Sequence, residues 1–524
     1  MEKAVLSAGS GRFRREKERR RKNGFRRGAP AVFRKKMEYQ EKARDTLQRN
    51  LTLMTDFYEL TMMQGYLRNG LADNIGVFDL FFRKRDDGQI MYAIMAGVEQ
   101  LCEYIENLHF DEDDIEYLRS QNVFDEEFLT RLASFRFTGE IYAIPEGTPV
   151  FPMEPLVRVR APLFEAQLVE TALLTIINHQ TLIATKASRV VYSAKGGTVM
   201  EFGLRRAQGP DAGNYGARAA VIGGCSSTSN VYTGKMFDVP ISGTHAHAWV
   251  MSFPDELSAF RAYAETFPNA CLLLVDTYDT LRSGVPNAIT VFRELREKGI
   301  EPRGIRLDSG DLAYLSIEAR KMLDEAGFPD TIICASSDLD EYVIQDLLMQ
   351  GARIDTWGVG TKMITGDGCP ALGGVYKLSA EYVDGVEVPK LKKSENPIKV
   401  TNPGVKKIYR IFDNETGRAL ADLITRDHET IDTSQPLEIF DPINTWKRKT
   451  ITDFHVRELL VPIFIDGKRV YELPTLKEIC AYSKKELSAF WDQYRRLNKP
   501  HVYKVDLSQE LYDLKQELLH RSGK

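Results

Sequence analysis

Seven short apolar runs between about residues 198 and 379 each end in a polar, glycine-rich or acidic cluster. Runs of this length, starting about 20–40 residues apart with helical periodicity between them, are typical of repeated strand–helix units. The carboxyl ends of parallel strands carry the site in such folds. The pattern therefore predicts an α/β fold, namely an irregular TIM-like barrel or a related parallel sheet. The runs are TVMEFGLRR (198–206), VPISGTHAH (239–247), CLLLVDTYD (271–279), GIRLDSGD (304–311), TIICASSD (331–338), ARIDTWGVGT (352–361) and GGVYKLS (373–379).

The chain has 524 residues, more than one compact core normally holds, so two or more domains are expected. We assign the barrel to residues 161–380 and an N-terminal α/β domain to residues 37–160. Hairpin signals such as Asp384-Gly385 indicate that about 380–450 completes the N-terminal domain. Residues 451–524 are expected to add a strand and helices that pack on it.

The net charge of −4 conceals an asymmetry. Residues 1–36 hold 14 Lys or Arg against 3 Glu, a net charge of +11, which leaves −15 for the remainder. A basic stretch without apolar periodicity is typical of a disordered extension. We interpret it as sequence upstream of the start at Met37; binding of nucleic acid through it is the less favoured alternative.

No run of eighteen apolar residues is present, so a membrane span is not expected. The six cysteines lack CxxC spacing, which favours reduced thiols in a cytoplasmic protein over a zinc site.

RLDSGD (306–311) is the motif that points most specifically to a binding site. A strand-end Arg306 can bind a carboxylate or phosphate in a bidentate manner. Asp308 and Asp311 can accept hydrogen bonds from ribose hydroxyls or hold hydrated Mg²⁺. The plainer alternative is a strand-to-helix turn in which an aspartate only caps the helix.

WGVGT (357–361) places Gly358, Gly360 and Thr361 after a strand, where bare backbone can approach a phosphate. Glycines after a strand can equally form a simple turn.

FGLRRAQGPDAG (202–213) sets Phe202 beside Arg205 and Arg206, a combination that suits a flat anionic ring. GTHAHAW (243–249) places His245 and His247 just past a strand. No third metal ligand is evident, so a structural histidine and a phosphoryl-accepting histidine both remain open.

Ten ordered motifs, from about residue 50 to near the carboxyl end, together resemble nicotinate phosphoribosyltransferase. They are TDFYELTM (55–62), FDLFFRK (78–84), NHQTLIATKASRV (178–190), FGLRRAQGPDAG, SSTSNV (226–231), GTHAHAW, VDTYDT (275–280), IRLDSGDL (305–312), WGVGT and TNPGVKKIYR (401–410). The resemblance implies a type II phosphoribosyltransferase fold, an α/β barrel plus an N-terminal domain completed by C-terminal strands.

The resemblance also implies roles around the pyridine ring. Tyr58 resembles the aromatic residue that reaches the nicotinate from a neighbouring subunit, so a homodimer with a shared site is implied. Phe202 resembles the residue that stacks on the other face. Arg205 and Arg306 resemble the arginines near the base carboxylate and the phosphates. Ser229 stands near the substituent of the ring.

Further roles concern the sugar and the phosphates. Asp308 and Asp311 match the acids at the ribose and metal, with Asp311 assigned to Mg²⁺. Gly358, Gly360 and Thr361 match the 5′-phosphate loop. His247 stands where the family's histidine is phosphorylated by ATP. Ala248 and the pair Cys225-Ser226 depart from the family pattern, which bears on the packing of the histidine site.

The implied reaction joins nicotinate and phosphoribosyl pyrophosphate to give nicotinate mononucleotide and pyrophosphate, the first step of NAD salvage from nicotinate. ATP is a co-substrate, and Mg²⁺ accompanies both phosphate compounds. A nicotinamide-specific relative is the nearest alternative, but residues 223–231 lack the acid expected near the ring substituent. A barrel aldolase with a Schiff-base Lys362 or Lys377 is a remote alternative.

Overall fold

A computed structural model describes residues 50–83, 90–396 and 399–521. The basic extension, Met37 and Lys84 of the FDLFFRK motif lie outside these residues. None of the helices in the described ranges combines the length and apolarity that a membrane crossing requires.

Six parallel strands form one sheet, which we call the barrel sheet. Their side chains are mostly buried, as expected for strands covered on both faces. The spatial order is Ser227–Thr228, Thr198–Glu201, Thr356–Val359, Ile332–Ser337, Gly304–Leu307 and Leu272–Leu274. Ile241 adds an isolated parallel bridge to Thr228.

Helices surround the barrel sheet because each strand is followed by a segment with one apolar face. They are Pro210–Ile222, Val231–Phe237, His247–Met251, Glu256–Thr266, Val285–Glu297, Leu312–Glu325, Glu341–Met349 and Thr361–Ile364, with 3₁₀ turns at Leu204–Arg206 and Pro268–Ala270 and a π turn at Thr280–Gly284.

Seven antiparallel strands form a second sheet, which we call the composite sheet because both ends of the chain supply it. The spatial order is Val386–Pro389, Gly374–Val383, Ile75–Phe82, Val157–Pro162, Glu140–Ala143, Val461–Ile465 and Lys468–Arg469. Helices of the same region are Phe57–Arg68, Val98–Asn107, Glu112–Ser120, Glu126–Ala133 and Leu163–Leu168.

The remaining strands lie towards the carboxyl end and in one small pair. A four-stranded sheet has the order Phe454–Glu458, Lys406–Asp413, Ala419–Arg426 and Val505–Leu507, and two-stranded sheets pair Leu437–Phe440 with Arg448–Ile451 and Ala93–Ile94 with Pro149–Val150. The helices here are Leu476–Ser488, Asp492–Arg495 and Gln509–His520.

The helix Glu170–Ser193 joins the two main parts of the fold. Leu173 and Ile177 on its first half pack in the core of the composite sheet, whereas Ala187 and Val190 on its second half pack in the core of the barrel sheet. One continuous helix therefore sets the position of the barrel against the rest of the chain.

The predicted fold class is confirmed, with three corrections of detail. The seventh apolar run, 373–379, was wrongly assigned to the barrel: it lies within Gly374–Val383, which pairs antiparallel with Ile75–Phe82. The run 239–247 contributes only the bridge at Ile241, and Ser227–Thr228 supplies a parallel strand that was not predicted. Of the segment expected to complete the N-terminal domain, Val386–Pro389 does join the composite sheet, whereas Lys406–Asp413 and Ala419–Arg426 pair in the separate four-stranded sheet.

Candidate active site

The register of the barrel sheet brings the ends of four strands side by side. Cys334 is paired with Arg306, Ser336 with Gly358, and Val359 with Glu201. Residues that are 22 to 158 positions apart in sequence therefore meet at one rim, because the carboxyl ends of parallel strands share an edge.

Arg306 is fixed by three hydrogen bonds at this rim. Its Nε donates to Ser336 Oγ at 2.8 Å, Nη1 donates to Thr244 Oγ1 at 3.0 Å, and Nη2 donates to Asp308 Oδ1 at 2.9 Å. Its Cζ lies 5.7 Å from the centre of the Phe202 ring. A guanidinium held this way keeps further N–H groups for an anion without losing side-chain freedom on binding.

Phe202 occupies the space above Gly358. A Cβ on Gly358 would lie 2.6 Å from Phe202 Cε2 and 2.7 Å from Cδ2. The Phe202 backbone is also tied to this strand, since its N–H donates to Val359 O at 2.8 Å. Gly358 therefore leaves the space that the aromatic ring occupies, whether or not its backbone also faces a phosphate.

Asp276 is a buried carboxylate that sequence reasoning did not assign. It accepts from Asp308 N at 2.7 Å and from Ser309 Oγ at 2.7 Å through Oδ2, and its Oδ1 lies 3.2 Å from His247 Nε2. Its side chain is only 2% exposed. The VDTYDT motif at a strand end was the available signal. Asp276 links the histidine segment to the RLDSGD turn.

The two histidines of GTHAHAW have different environments. His247 begins the helix His247–Met251 and is partly exposed beside Asp276. His245 is buried, and its Nε2 accepts from Leu274 N at 3.2 Å. Burial lowers the pKa of His245 to about 4, so its ring is neutral at physiological pH. His245 thus anchors the segment, and His247 is the one available to a ligand.

The two acids of RLDSGD also differ. Besides Arg306, Asp308 Oδ1 accepts a short hydrogen bond from Ser336 Oγ. Asp311 is exposed and caps the helix Leu312–Glu325 by accepting from Tyr314 N at 3.0 Å. Within the described residues no group of three or more His, Cys, Asp or Glu side chains is arranged to hold a metal ion.

Ser229 and Arg205 flank the Phe202 strand. Ser229 N–H donates to Glu201 O at 2.9 Å, and Arg205 lies exposed in the turn Leu204–Arg206. Glu201 was not predicted: its buried carboxylate accepts from Thr228 Oγ1 at 2.5 Å and makes a short contact to Gly203 N–H. Burial raises the pKa of Glu201. This carboxylate joins the two segments that carry Phe202 and Ser229.

Gly360 and Thr361 lie beside this cluster at the start of the helix Thr361–Ile364. A Cβ on Gly360 would come within 3.2 Å of Phe202 O, so bare backbone is favoured here as well. Thr361 is exposed.

Tyr58 lies in the first turn of Phe57–Arg68, and no hydrogen bond or ring contact among the described residues joins it to the rim. It is 44% exposed, next to the exposed Phe57 and Met62. Partial burial and the carboxylates of Glu170 and Glu59 raise the pKa of its hydroxyl.

One of the two lysines considered for a Schiff-base aldolase does not lie at a barrel strand end. Lys377 lies in the composite sheet, 3.8 Å from Glu170 Oε1, and not at a barrel strand end. Lys362 is at such an end, but its ammonium is paired with Asp340 at 2.8 Å.

Comparison with known proteins identifies the family. Residues 53–178 match the nicotinate phosphoribosyltransferase (NAPRTase) N-terminal domain family, and residues 405–515 match the nicotinate phosphoribosyltransferase C-terminal domain family. A nicotinate phosphoribosyltransferase of Bacillus subtilis (strain 168) is 49% identical over 473 residues, covering 90% of this chain and 96% of that protein. One of Homo sapiens is 33% identical over 520 residues, covering 88% of this chain and 95% of that protein.

A comparison of structures points to the same family. The crystal structure of human nicotinic acid phosphoribosyltransferase superposes with a TM-score of 0.76 at 31% identity, covering 89% of this chain and 99% of that chain. With similarity over nearly the whole length of its relatives and the same two-part architecture, the chain belongs to the nicotinate phosphoribosyltransferase family.

Proposed function

We propose that this enzyme forms nicotinate mononucleotide and pyrophosphate from nicotinate and phosphoribosyl pyrophosphate, coupled to ATP hydrolysis through a phosphohistidine at His247. The observation that carries the proposal is the single rim on which Phe202, Arg306 and Asp308 meet. Family membership supports the same reaction.

The Phe202 ring provides a flat surface for the pyridine, and Arg205 is free to meet its carboxylate. Stacking supplies contact area, and a guanidinium selects the acid over the amide. Ser229, where a carboxylate would repel nicotinate, is consistent with that choice. Parallel assays with nicotinate and nicotinamide test it, and preferential use of the amide would overturn it.

The sugar phosphate would lie between the RLDSGD turn and Gly360-Thr361. As the bond from the anomeric carbon to pyrophosphate breaks, charge develops on the sugar and on the leaving group. Arg306 is held in place beforehand to stabilise the leaving group. The exposed Asp311, with one oxygen not used in capping, suits a Mg²⁺ ion bound mainly by pyrophosphate oxygens. A Mg²⁺ ion held there would supply positive charge to offset that of the departing pyrophosphate.

His247 suits a phosphoryl acceptor because Asp276 fixes one ring nitrogen and the ring remains partly exposed. In the proposed step the other nitrogen attacks the γ-phosphorus of ATP, the bond to ADP breaks, and water later releases phosphate. The free energy of ATP hydrolysis would then favour mononucleotide formation.

The test is mononucleotide formation with and without ATP, in the parent and in His247→Ala. We expect the variant to keep slow ATP-independent turnover and to lose stimulation. A response to ATP equal to that of the parent would remove His247 from this role.

We further propose that the chain forms a homodimer in which Tyr58 completes the partner's site. The exposed Phe57, Tyr58 and Met62 supply an apolar surface for such contact. Mixing two weakened variants, Tyr58→Ala and Phe202→Ala, under subunit exchange should restore activity, because half of the sites in mixed dimers carry neither change. Activity that stays at the average of the two variants would refute the shared site. No disulfide joins the six cysteines, all of which lie within the described residues, and this supports the cytoplasmic location we also propose.

A further inference from the structure

A small charged cleft, lined in part by residues 366–369, lies outside the rim described above. Its volume is about 100 Å³. Its lining includes Lys186 and Arg189 from the long helix, together with Asp340 and Glu341 from the start of the helix Glu341–Met349. Lys362, next to Thr361, reaches Asp340. Five ionic groups here join three segments of the chain.

Asp340 has two roles at once. Its Oδ1 accepts from Tyr342 N at 2.9 Å and from Val343 N at 2.8 Å, so it caps the helix Glu341–Met349. Its Oδ2 accepts from Lys362 Nζ at 2.8 Å. Lys362 is thereby tied to a fixed helix end.

The next residue anchors that helix end to the long helix. Glu341 pairs with Lys186 at 2.8 Å and with Arg189 at 3.0 Å, and all three side chains are at most 10% exposed. Lys186 also donates to Asp367 O at 3.0 Å, beyond the Thr361 segment. The segment that contains Glu341 and the segment that contains Asp367 are therefore both held against the long helix Glu170–Ser193.

The backbone just before this loop is strained. Ser337 has a φ of 128°, a conformation that a residue with a Cβ rarely adopts. Such strain persists only where surrounding contacts over-determine the conformation, and it clusters at functional sites. The bonds around Asp340 provide those contacts.

We infer that Lys362 and Asp340 are positioning residues that fix the Gly360-Thr361 backbone for the phosphate of phosphoribosyl pyrophosphate. The inference rests on the proposed function of this segment. The Lys362 ammonium is already paired with Asp340. Lys362 therefore acts by holding the Gly360-Thr361 backbone in place, and not by contacting the phosphate itself. A loosened segment weakens phosphate binding while leaving the nicotinate surface at Phe202 intact.

The test uses two charge-removing variants, Lys362→Met and Asp340→Asn; the second retains a capping oxygen. We expect the KM for phosphoribosyl pyrophosphate to rise about 10-fold in each, with kcat and the KM for nicotinate within about twofold of the parent. The double variant should be no weaker than either single variant, because one interaction is lost in all three.

Lys321→Met is the matched control, since it breaks an exposed Lys321–Glu318 pair on the helix Leu312–Glu325. Lys362→Arg should recover part of the parent KM. An unchanged KM for phosphoribosyl pyrophosphate in a folded Lys362→Met or Asp340→Asn, or a fall in kcat alone, would overturn the inference. If the parent itself forms no mononucleotide, the proposed function fails instead. If one of the two variants does not fold, the KM of the other for phosphoribosyl pyrophosphate tests the inference.

Discussion

Gly358→Ala should move an aromatic ring without unfolding the protein. The new methyl group would start 2.6–2.7 Å from two atoms of the Phe202 ring, whereas carbon atoms prefer about 3.5–4.0 Å, so the ring must retreat by about 1 Å. The ring is the end of a partly exposed side chain and can turn. We therefore expect a stability loss of only about 1 kcal/mol. The lost stacking on nicotinate, about 1–1.5 kcal/mol, corresponds to about a 5- to 12-fold higher KM.

The assay is steady-state kinetics with nicotinate varied at saturating phosphoribosyl pyrophosphate, together with urea unfolding. Gly65→Ala is the control, because it is inside a helix and, apart from that helix's own backbone, no atom of the described residues lies within 4 Å of a Cβ there. It should leave the KM unchanged and stabilise the helix slightly. A Gly358→Ala enzyme with the parent KM for nicotinate would refute the placement of the base on Phe202.

Two further predictions concern buried carboxylates. Asp276→Asn should abolish stimulation by ATP while basal turnover persists, because an amide N–H₂ facing His247 Nε2 would favour the other ring tautomer and leave Nδ1 without its nucleophilic lone pair. It should also lower the free energy of unfolding by about 1–3 kcal/mol, because the hydrogen bonds from Asp308 N and Ser309 Oγ lose their charged acceptor. Retained stimulation would separate Asp276 from His247. Burial raises the pKa of Glu59 to about 7, so the folded chain binds a proton more tightly than the unfolded chain. Stability should therefore fall as pH rises from about 5 to 7 and then level off, and this fall should be smaller in Glu59→Gln. Equal pH profiles in urea unfolding would contradict the assignment.

Much of the barrel could be predicted from sequence because its strands are continuous buried runs with polar ends. Gly304–Leu307 and Thr356–Val359 lie where the runs IRL and TWGV indicated. The residues at their carboxyl ends, Arg306 to Asp308 and Gly358 to Gly360, come together because both strands pair in register with Ile332–Ser337, which lies between them.

Other features depend on tertiary contacts that local pattern does not encode. Ser227–Thr228 has no apolar side chain, and it becomes a strand because Glu201 pairs with it through backbone and side chain. The run 373–379 has the same composition as a barrel strand, so only its partner Ile75–Phe82 reveals its direction. Asp276 could not be distinguished from a turn residue until its three hydrogen-bond partners were seen.

The composite sheet has a consequence for synthesis on the ribosome. Ile75–Phe82 emerges early, but one of its neighbours, Gly374–Val383, follows almost 300 residues later. The strand Glu140–Ala143 likewise waits for its neighbour Val461–Ile465. Until then the nascent chain exposes an unpaired, apolar strand edge that invites wrong pairing. Premature termination anywhere before residue 374 should consequently yield insoluble fragments, even where the barrel helices are already complete.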